Sequence, residues 1–240
     1  MQSQTLVLRS AASRENDRLI TALTKEFGVV RAFANGARKP KSPLHAATQP
    51  FGYGRMEFTQ RRDTYTVKEA LTEGVFFDGL AADISRLALA NYCAAICAEL
   101  APQQEDASEH MRLMLNALHF LCEGTRPQLL IKSVTELRLL CLAGYAPDLD
   151  APESNAAPEN GTLWFDCANG VVVTRAANHC APVSPAILAA MQYICAAPLE
   201  RAFRFHLPEE SLLALSRLSQ AYVRQQAGRR FAELDYWEKL

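Results

Sequence analysis

The 240-residue chain predicts an α+β protein, with a small antiparallel barrel or sandwich followed by a helical region. Five short strand-like segments lie in about the first 75 residues, which leaves no room for crossover helices between them. From Gly79 onward, apolar residues recur at the spacing of an amphipathic helix. We therefore predict one domain over residues 1–78 and a second over residues 79–240.

The barrel region contains five predicted strands separated by turn residues. In the fifth, Tyr65 and Val67 alternate with polar residues, which is typical of a strand with one buried face. The second segment also fits a helical turn, because Leu19, Ile20 and Leu23 share the required spacing, so strand and helix are both open there. The predicted strands are Gln4–Arg9, Leu19–Thr24, Val29–Ala34, Phe51–Thr59 and Thr64–Leu71.

The second region contains five predicted helices. Ser108 is a candidate N-cap of the second helix, and Gly144 lies where the third should end. The first three follow one another and are apolar, so we expect them to pack together as the main core. The predicted helices are Leu80–Leu100, Ser108–Cys122, Pro127–Leu142, Pro185–Cys195 and Pro208–Ala227.

An insertion at about residues 148–182 separates the third predicted helix from the fourth. It begins with Asp148–Gly161, a polar, acidic and proline-containing stretch that predicts a loop. Leu163–Phe165 and Val171–Thr174 then flank Asn169-Gly170, which is a strong signal for a two-residue hairpin turn. We therefore expect a small β-hairpin within the helical region.

Composition places the chain among ordinary globular proteins, with 49% hydrophobic and 21% charged residues. No apolar run approaches the roughly 18 residues of a membrane span, and the N-terminus lacks the pattern of a secretion signal. The seven cysteines are odd in number and include no CxxC pair, which favours free thiols over a disulfide framework. We expect a cytoplasmic protein with no membrane partner.

Motifs of the common enzyme classes do not occur in the sequence. There is no phosphate-binding loop, no HExxH and no GxSxG, and the five histidines are scattered. A Cys/His hydrolase using His179 and Cys180 is one alternative. Neighbouring side chains on an extended backbone point to opposite faces, however, which makes that pair a poor one. We therefore expect no enzyme and assign no catalytic residue.

Positive charge is concentrated near the N-terminus. The whole chain carries a formal net charge of −1, whereas residues 1–80 hold twelve basic and eight acidic side chains, a net +4. The segment Ala34–Ser42 places Arg38, Lys39 and Lys41 on a turn that its glycine and proline keep out of helix and strand. This asymmetry indicates a polyanionic partner.

A small barrel with basic turns and aromatic rings is suited to single-stranded nucleic acid. Its groove follows the phosphates while rings stack on bases, at about 1–3 kcal/mol per base. The alternative is that the charges only solvate the barrel surface and the rings belong to its core. The candidate DNA-binding residues are Arg31, Arg38, Lys39, Lys41, Arg55, Arg61, Arg62 and Lys68, with the rings of Phe33, Phe51 and Tyr53.

Five segments together resemble a known family in order and spacing. They contain an acidic-x-Asp-Arg-Leu step, a Thr-x-x-x-Gly turn, a basic Asn-Gly-x-Arg-Lys-x-x-Ser turn, a Gln-Pro-Phe and a Glu-Leu-x-Leu-Leu…Gly-Tyr-x-Pro-x-Leu signature. The segments are Glu15–Leu19, Thr24–Arg31, Ala34–Ser42, Gln49–Phe51 and Glu136–Leu149. On these motifs the chain resembles the RecO family of bacterial recombination mediators.

The resemblance implies a fold and a function. Members have an N-terminal five-stranded OB-fold barrel that binds nucleic acid, a helical domain, and often a zinc-ribbon-like insertion. They are DNA repair and recombination mediators that bind single- and double-stranded DNA and anneal complementary strands coated with single-stranded-DNA-binding protein. They also engage the acidic C-terminal tail of that protein and, with RecR, promote loading of RecA. A nucleoid-associated location follows from these partners.

One departure from the family pattern concerns zinc. Many members carry two CxxC pairs around the inserted hairpin, but residues 150–154 and 173–176 of this chain contain no cysteine. The resemblance therefore implies a zinc-ribbon-like hairpin that has lost its cysteines. Since a structural zinc site requires four ligands, we expect no zinc and no other cofactor.

We also predict where a partner's acidic tail binds and keep one rival function. The candidate tail-binding residues are Lys132, Leu137, Arg138 and Leu140, as a groove between helices. Alternatively, Arg138 forms surface salt bridges with Glu136 or Glu123. The rival function is an OB-fold RNA-binding or ribosome-associated protein, because a stacking platform accepts either nucleic acid.

Overall fold

A computed structural model describes residues 1–62, 64–150 and 161–240 of the chain. These residues form two compact units: residues 1–125 with 231–240, and residues 126–230. Strands give way to helices between residues 75 and 77, whereas the domain boundary was predicted between residues 78 and 79. The compact units, in contrast, divide the chain within its helical part.

The first unit contains a closed five-stranded barrel. Its strands are β1 (Gln2–Ala12), β2 (Arg18–Thr24), β3 (Gly28–Ala34), β4 (Gly52–Arg61) and β5 (Thr64–Val75). The strand order is β1-β2-β3-β5-β4, in which β3 and β5 run parallel and the other neighbouring strands run antiparallel. The predicted five-stranded OB-fold barrel is confirmed, and Leu19–Thr24 is a strand rather than a helical turn.

Alternation along each strand separates the barrel interior from its outer wall. On β3, Val30 and Ala32 point inward, and on β5 Tyr65 and Val67 do the same, as predicted. A bulge at Lys68 then shifts the register, because Val67 pairs with Phe58 whereas Glu69 pairs with Glu57. The bulge leaves Lys68 on the outside of the barrel.

Helices cover one side of the barrel. The described helices of the first unit are α1 (Leu44–Ala47), α2 (Phe77–Ala81), α3 (Ile84–Leu100), α4 (Ser108–Glu123) and, at the C-terminus, α9 (Ala232–Trp237). Helix α3 packs on β1 and β2, where the cross-strand partners Leu6 and Leu23 are fully buried. The outer wall near these two leucines is therefore closed to any ligand.

Two details of the helices differ from the sequence predictions. The predicted helix Leu80–Leu100 is interrupted before α3, because the Asp83 carboxylate accepts hydrogen bonds from the backbone N–H groups of Ser85 and Arg86 and begins a new helix. Ser108 is not the N-cap of α4. Ala107 occupies that position, and Ser108 donates its backbone N–H to the Asp106 carboxylate.

The second unit contains the other described helices and a small sheet. These are α5 (Gln128–Leu142), α6 (Pro185–Ala196), α7 (Leu199–Ala202) and α8 (Glu209–Ala227), with β6 (Leu163–Asp166), β7 (Val171–Val173) and β8 (Cys180–Val183). Helix α5 packs on α6 and α8, whereas α3 and α4 pack together within the first unit. The prediction of one core shared by α3, α4 and α5 was wrong.

The predicted hairpin is present as β6 and β7, and β8 adds an unpredicted third strand on the other side of β6. The turn between β6 and β7 contains four residues, 167–170, so the prediction of a two-residue turn was wrong, although Gly170 does adopt a left-handed φ of 69°. Residues 151–160 of the predicted acidic loop lie outside the described residues, as does Asp63 in the β4–β5 turn.

Candidate nucleic-acid interface

The outer wall of β3 carries a ring and a guanidinium side by side. Arg31 and Phe33 alternate with the inward-facing Ala32, so both lie on the outer face, about 7 Å apart along the strand. Phe33 is opposite Leu19 on β2 and Thr66 on β5, while Arg31 is opposite Thr21. This wall offers a partly exposed ring next to an exposed cation.

A second cation on the same wall was missed by the sequence analysis. Arg9 pairs with Thr21 on β2, which itself pairs with Arg31 on β3, so the Cα atoms of the two arginines flank one threonine and lie about 10 Å apart. A bulge between Val7 and Arg9 turns Arg9 to the outside, where it is exposed. The sequence analysis predicted a strand that ends at Arg9, so the alternation of side chains beyond the bulge could not show that Arg9 faces outward.

The segment Ala34–Ser42 is attached to the loop between β1 and β2. The Gly36 N–H donates to Asp17 Oδ1 at 2.8 Å, and the Arg38 N–H donates to the Asn16 carbonyl at 2.9 Å. Arg38 Nη1 also donates to the carbonyl of Glu15 at 3.1 Å. The Arg38 side chain is thus used to brace this loop.

Two lysines of the same segment extend into solvent. Lys39 and Lys41 are exposed, and neither side chain forms an ion pair with any described residue. Arg14 is likewise exposed in the braced loop. The turn and the loop therefore present three exposed cations, of which Arg14 lies in the loop that Arg38 binds.

Arg18 is a partly buried support of this region that the sequence analysis did not select. Its Nη1 donates to the His45 carbonyl at 2.7 Å and to Thr48 Oγ1 at 3.0 Å, which ties β2 to α1. Burial lowers the pKa of Arg18, and the nearby Arg38 guanidinium lowers it further by a smaller amount. The Asp-Arg-Leu step contained this residue, but charge alone did not distinguish a support from a surface cation.

The β4–β5 turn supplies further positive charge. Arg61 and Arg62 are both exposed there, and Arg62 has a left-handed φ of 53°. Arg61 lies two residues beyond Thr59, whose cross-strand partner Thr66 is next to Phe33. Arg61 is therefore close to the row of residues that contains Phe33.

Other predicted DNA-binding residues lie away from this wall. Tyr53 and Arg55 are near the start of β4, and Tyr53 is six residues, or about 20 Å, from Thr59 along that strand. Burial raises the pKa of Tyr53, and the Glu73 carboxylate raises it further by a smaller amount. The barrel does not bring Tyr53 together with Phe33.

Lys68 and Phe51 are placed differently from the prediction. Lys68 Nζ forms an ion pair with Glu57 Oε1 at 3.0 Å, and this hydrogen bond raises the pKa of the lysine. Phe51 is fully buried at a φ of 60°. Phe51 is therefore a core residue, not a ring available for stacking, and the charge of Lys68 is partly offset.

Three of the four residues predicted to bind a partner's tail are inside the second unit. Lys132, Leu137 and Leu140 are fully buried. Lys132 Nζ contacts Glu136 Oε1 at 2.9 Å and the carbonyl of Ser216 on α8 at 3.0 Å. This corrects the prediction, because the charge that seemed available for a partner is neutralised within the core.

Arg138 is partly exposed but engaged with backbone. Its Nη1 donates to the Cys195 carbonyl at 2.7 Å and its Nη2 to the Ala197 carbonyl at 3.0 Å. These carbonyls are at the C-terminal end of α6, where a cation is favourable for the helix dipole. The alternative of a salt bridge between Arg138 and Glu136 was wrong, since Glu136 pairs with Lys132.

The inserted sheet is attached to the rest of its unit by helix α8. Among the described residues, no group of three or more His, Cys, Asp or Glu side chains is placed to hold a metal. Helix α8 instead contacts the sheet: Phe165 and Tyr222 form an edge-to-face pair at 5.1 Å, and Gln226 Nε2 donates to the Cys167 carbonyl at 3.0 Å. The aromatic pair and the hydrogen bond from the Gln226 side-chain amide hold this insertion to its unit.

No helix within the described ranges combines the length and apolar character needed to cross a membrane.

Family models match nearly the whole chain. The model described as Recombination protein O N terminal matches residues 1–76, and the one described as Recombination protein O C terminal matches residues 81–235. The chain belongs to the RecO family. The resemblance carried by its motifs is thereby confirmed, and the two matched ranges meet where strands give way to helices.

Curated relatives agree with this assignment. The DNA repair protein RecO of Acetivibrio thermocellus is 28% identical over 244 residues, covering 100% of this chain and 97% of the relative. The protein of the same name from Symbiobacterium thermophilum is 28% identical, covering 98% and 95%. The Heliobacterium modesticaldum protein is 37% identical over 173 residues, covering 72% and 57%.

Proposed function

We propose that this RecO-family protein is a DNA repair and recombination mediator that binds single- and double-stranded DNA and anneals complementary strands coated with single-stranded-DNA-binding protein. The observation that carries the proposal is the open barrel wall, on which the partly exposed ring of Phe33 lies among the exposed cations of Arg9, Arg31 and Arg61. Binding of a single strand requires a ring that stacks on its bases, together with cations that contact its phosphates.

The wall and its adjoining loops define one interface, which we call the barrel-wall interface. It consists of Arg9, Arg14, Arg31, Phe33, Lys39, Lys41, Arg61 and Arg62. Phosphates bind the cations, and each contact releases counterions, so affinity falls as salt rises. Stacking on Phe33 is indifferent to base identity, as annealing of arbitrary sequences demands.

Annealing by this interface needs no covalent chemistry. Two phosphate backbones repel each other, and a surface that neutralises part of their charge lowers the free-energy cost of bringing them together. The protein's contribution is thus electrostatic and positional, and we propose neither a catalytic residue nor a cofactor. Arg38 serves the interface indirectly, since it holds the loop that carries Arg14.

The partners follow from the family. We propose that RecR acts with this protein to load RecA, and that the acidic tail of single-stranded-DNA-binding protein delivers it to coated strands in the cytoplasm, at the nucleoid. Of the four residues predicted for the tail, only Arg138 reaches the surface. Tail binding therefore requires exposed residues other than Lys132, Leu137 and Leu140.

An annealing assay tests this proposal. Two complementary DNA strands with donor and acceptor fluorophores are each coated with single-stranded-DNA-binding protein, and the rate of pairing is followed with and without this protein over a salt series. We expect acceleration at low salt that declines as salt rises. No acceleration at any salt would overturn the proposal.

The rival function is tested in the same experiment. Unlabelled single-stranded RNA and DNA of equal length are added separately as competitors. Stronger inhibition by RNA, together with absent annealing of coated DNA, would favour an RNA-binding protein instead. We expect DNA to compete at least as well as RNA.

A further inference from the structure

Two thiols meet in the second unit, in a cluster that the barrel-wall interface does not involve. Cys141 is near the C-terminal end of α5, and Cys195 is near that of α6, the helix against which α5 packs. Cys195 lies beside the face of α5 that bears Cys141, because Arg138, one helical turn before Cys141, donates to the Cys195 carbonyl, and both cysteines are partly exposed. Two partly exposed thiols at the ends of packed helices are a candidate pair for a disulfide.

Arg138 fixes this arrangement. It lies one helical turn before Cys141 on the same face of α5, and its guanidinium donates to the Cys195 carbonyl at 2.7 Å. A second bond from Arg138 reaches the Ala197 carbonyl at 3.0 Å. The two helix ends are thus held together by the residue that lies one turn before Cys141.

We propose that Cys141 and Cys195 are a redox modification site, which forms a reversible intramolecular disulfide when the protein meets hydrogen peroxide or another hydroperoxide. The bond closes the segment between α5 and α6, which includes the inserted sheet. The site rests on the geometry of the second unit alone and stands independently of nucleic-acid binding.

The two thiols have different roles. Cys195 donates its S–H to the Cys141 sulfur, and this hydrogen bond together with the Arg138 charge lowers the pKa of Cys141 against the effect of burial. The same hydrogen bond raises the pKa of Cys195. Because the thiolate is the nucleophile, Cys141 attacks the oxidant and Cys195 resolves the product.

The reaction balances in two steps. The Cys141 thiolate attacks one peroxide oxygen, the O–O bond breaks, and the leaving hydroxide takes up a proton as water, which leaves a sulfenic acid on Cys141. The Cys195 sulfur then attacks the sulfenic sulfur, the S–O bond breaks, and the second water leaves. Two thiols lose two electrons and one peroxide becomes two waters, while a dithiol reductant reverses the change.

The other cysteines are less suited to this chemistry. Cys93 and Cys97 are buried. Cys167 lies beside Cys180, but it is buried too, and burial raises its pKa to about 11. Burial also raises the pKa of the partly exposed Cys122. Cys167 with Cys180 is the rival pair that an experiment must separate from Cys141 with Cys195.

Thiol counting and peptide mapping test the proposal on the full-length protein. The reduced protein has seven thiols, and after treatment with hydrogen peroxide and removal of excess oxidant we expect two fewer on denaturation and alkylation. Trypsin leaves Cys141 and Cys167 in one peptide, so a combined tryptic and chymotryptic digest is used to separate the cysteines of the second unit. The expected cross-link joins the peptides of Cys141 and Cys195.

Variants assign the roles and provide controls. Cys195→Ser should trap a sulfenic acid at Cys141, detected as a dimedone adduct, whereas Cys167→Ser should form the disulfide as the wild type does. Seven intact thiols after peroxide, a bond between Cys167 and Cys180, or a bond between two molecules would overturn the proposal. The wild-type map decides the question even if a variant folds poorly.

Discussion

Arg38 Nη1 lies 3.1 Å from the backbone carbonyl of Glu15, so the most recognisable cation of the basic turn binds the protein's own β1–β2 loop. The Arg38 N–H reinforces this contact by donating to the Asn16 carbonyl at 2.9 Å. Position in a basic turn therefore does not by itself define a phosphate ligand. The neighbours Lys39 and Lys41, which are exposed, are the residues free to take that role.

The two lysines should account for part of the salt dependence of binding. For the double variant Lys39→Ala/Lys41→Ala, we expect a slope of log affinity against log salt that is shallower by about 1.4 for single strands, at about 0.7 per contact. The loss should be the same for different base sequences, as measured by fluorescence anisotropy over a salt series. A slope equal to that of the wild type would show that these lysines do not contact phosphates.

Arg38 should behave differently from the lysines. Arg38→Ala removes the brace of the loop that carries Arg14, so we expect lower affinity together with faster hydrogen exchange in residues 13–17. The Lys39→Ala/Lys41→Ala variant is the matched control and should leave that exchange unchanged. Equal hydrogen exchange in both variants would indicate instead that Arg38 contacts phosphates directly.

Phe33 should contribute stacking to the binding of single strands. Phe33→Ala is expected to weaken single-strand binding by about 1–3 kcal/mol, with a smaller effect on duplex DNA, whose bases are already stacked. Tyr53→Ala is the control, because Tyr53 lies about 20 Å along β4 from Thr59, the residue of that strand nearest to the row that contains Phe33. If Tyr53→Ala weakens binding more than Phe33→Ala does, the barrel-wall interface is misplaced.

Arg9 should act as a phosphate ligand although the sequence analysis did not select it. Arg9→Ala and Arg31→Ala are each expected to reduce the salt slope by about 0.7, since the two residues flank Thr21 on the open wall. Lys68→Ala serves as the control and should change the slope less, because Lys68 is paired with Glu57 at 3.0 Å. The salt slope of each variant is measured, and we expect a larger reduction in Arg9→Ala and Arg31→Ala than in Lys68→Ala.

Lys132 should be important for stability. Lys132→Met removes the cation that neutralises the buried Glu136 carboxylate, which is expected to cost about 3–5 kcal/mol of unfolding free energy, measured by urea denaturation. The double variant Lys132→Met/Glu136→Leu removes both charges and should recover most of the loss. A stability change below about 1 kcal/mol in Lys132→Met would instead match an exposed salt bridge.

Local patterns were sufficient for most elements of the fold. Alternation identified Tyr65 and Val67 as inward-facing residues of a strand, and Asn169-Gly170 identified the hairpin. Boundaries were less accurate where a single side chain decided them, as with the Asp83 carboxylate that begins α3. The short helices α7 and α9 were missed, since each offers little more than one turn of periodic pattern.

By itself, the sequence determined that a strand-rich basic region precedes a helical one, and its motifs identified the family, because composition, alternation and short motifs are local properties. Only the tertiary structure decided which cations are free. Lys132 binds the carbonyl of Ser216, Arg38 binds that of Glu15, and Arg9 joins Arg31 across β2. Each depends on segments distant in the chain, and contacts of that kind leave no periodic signal in a single sequence.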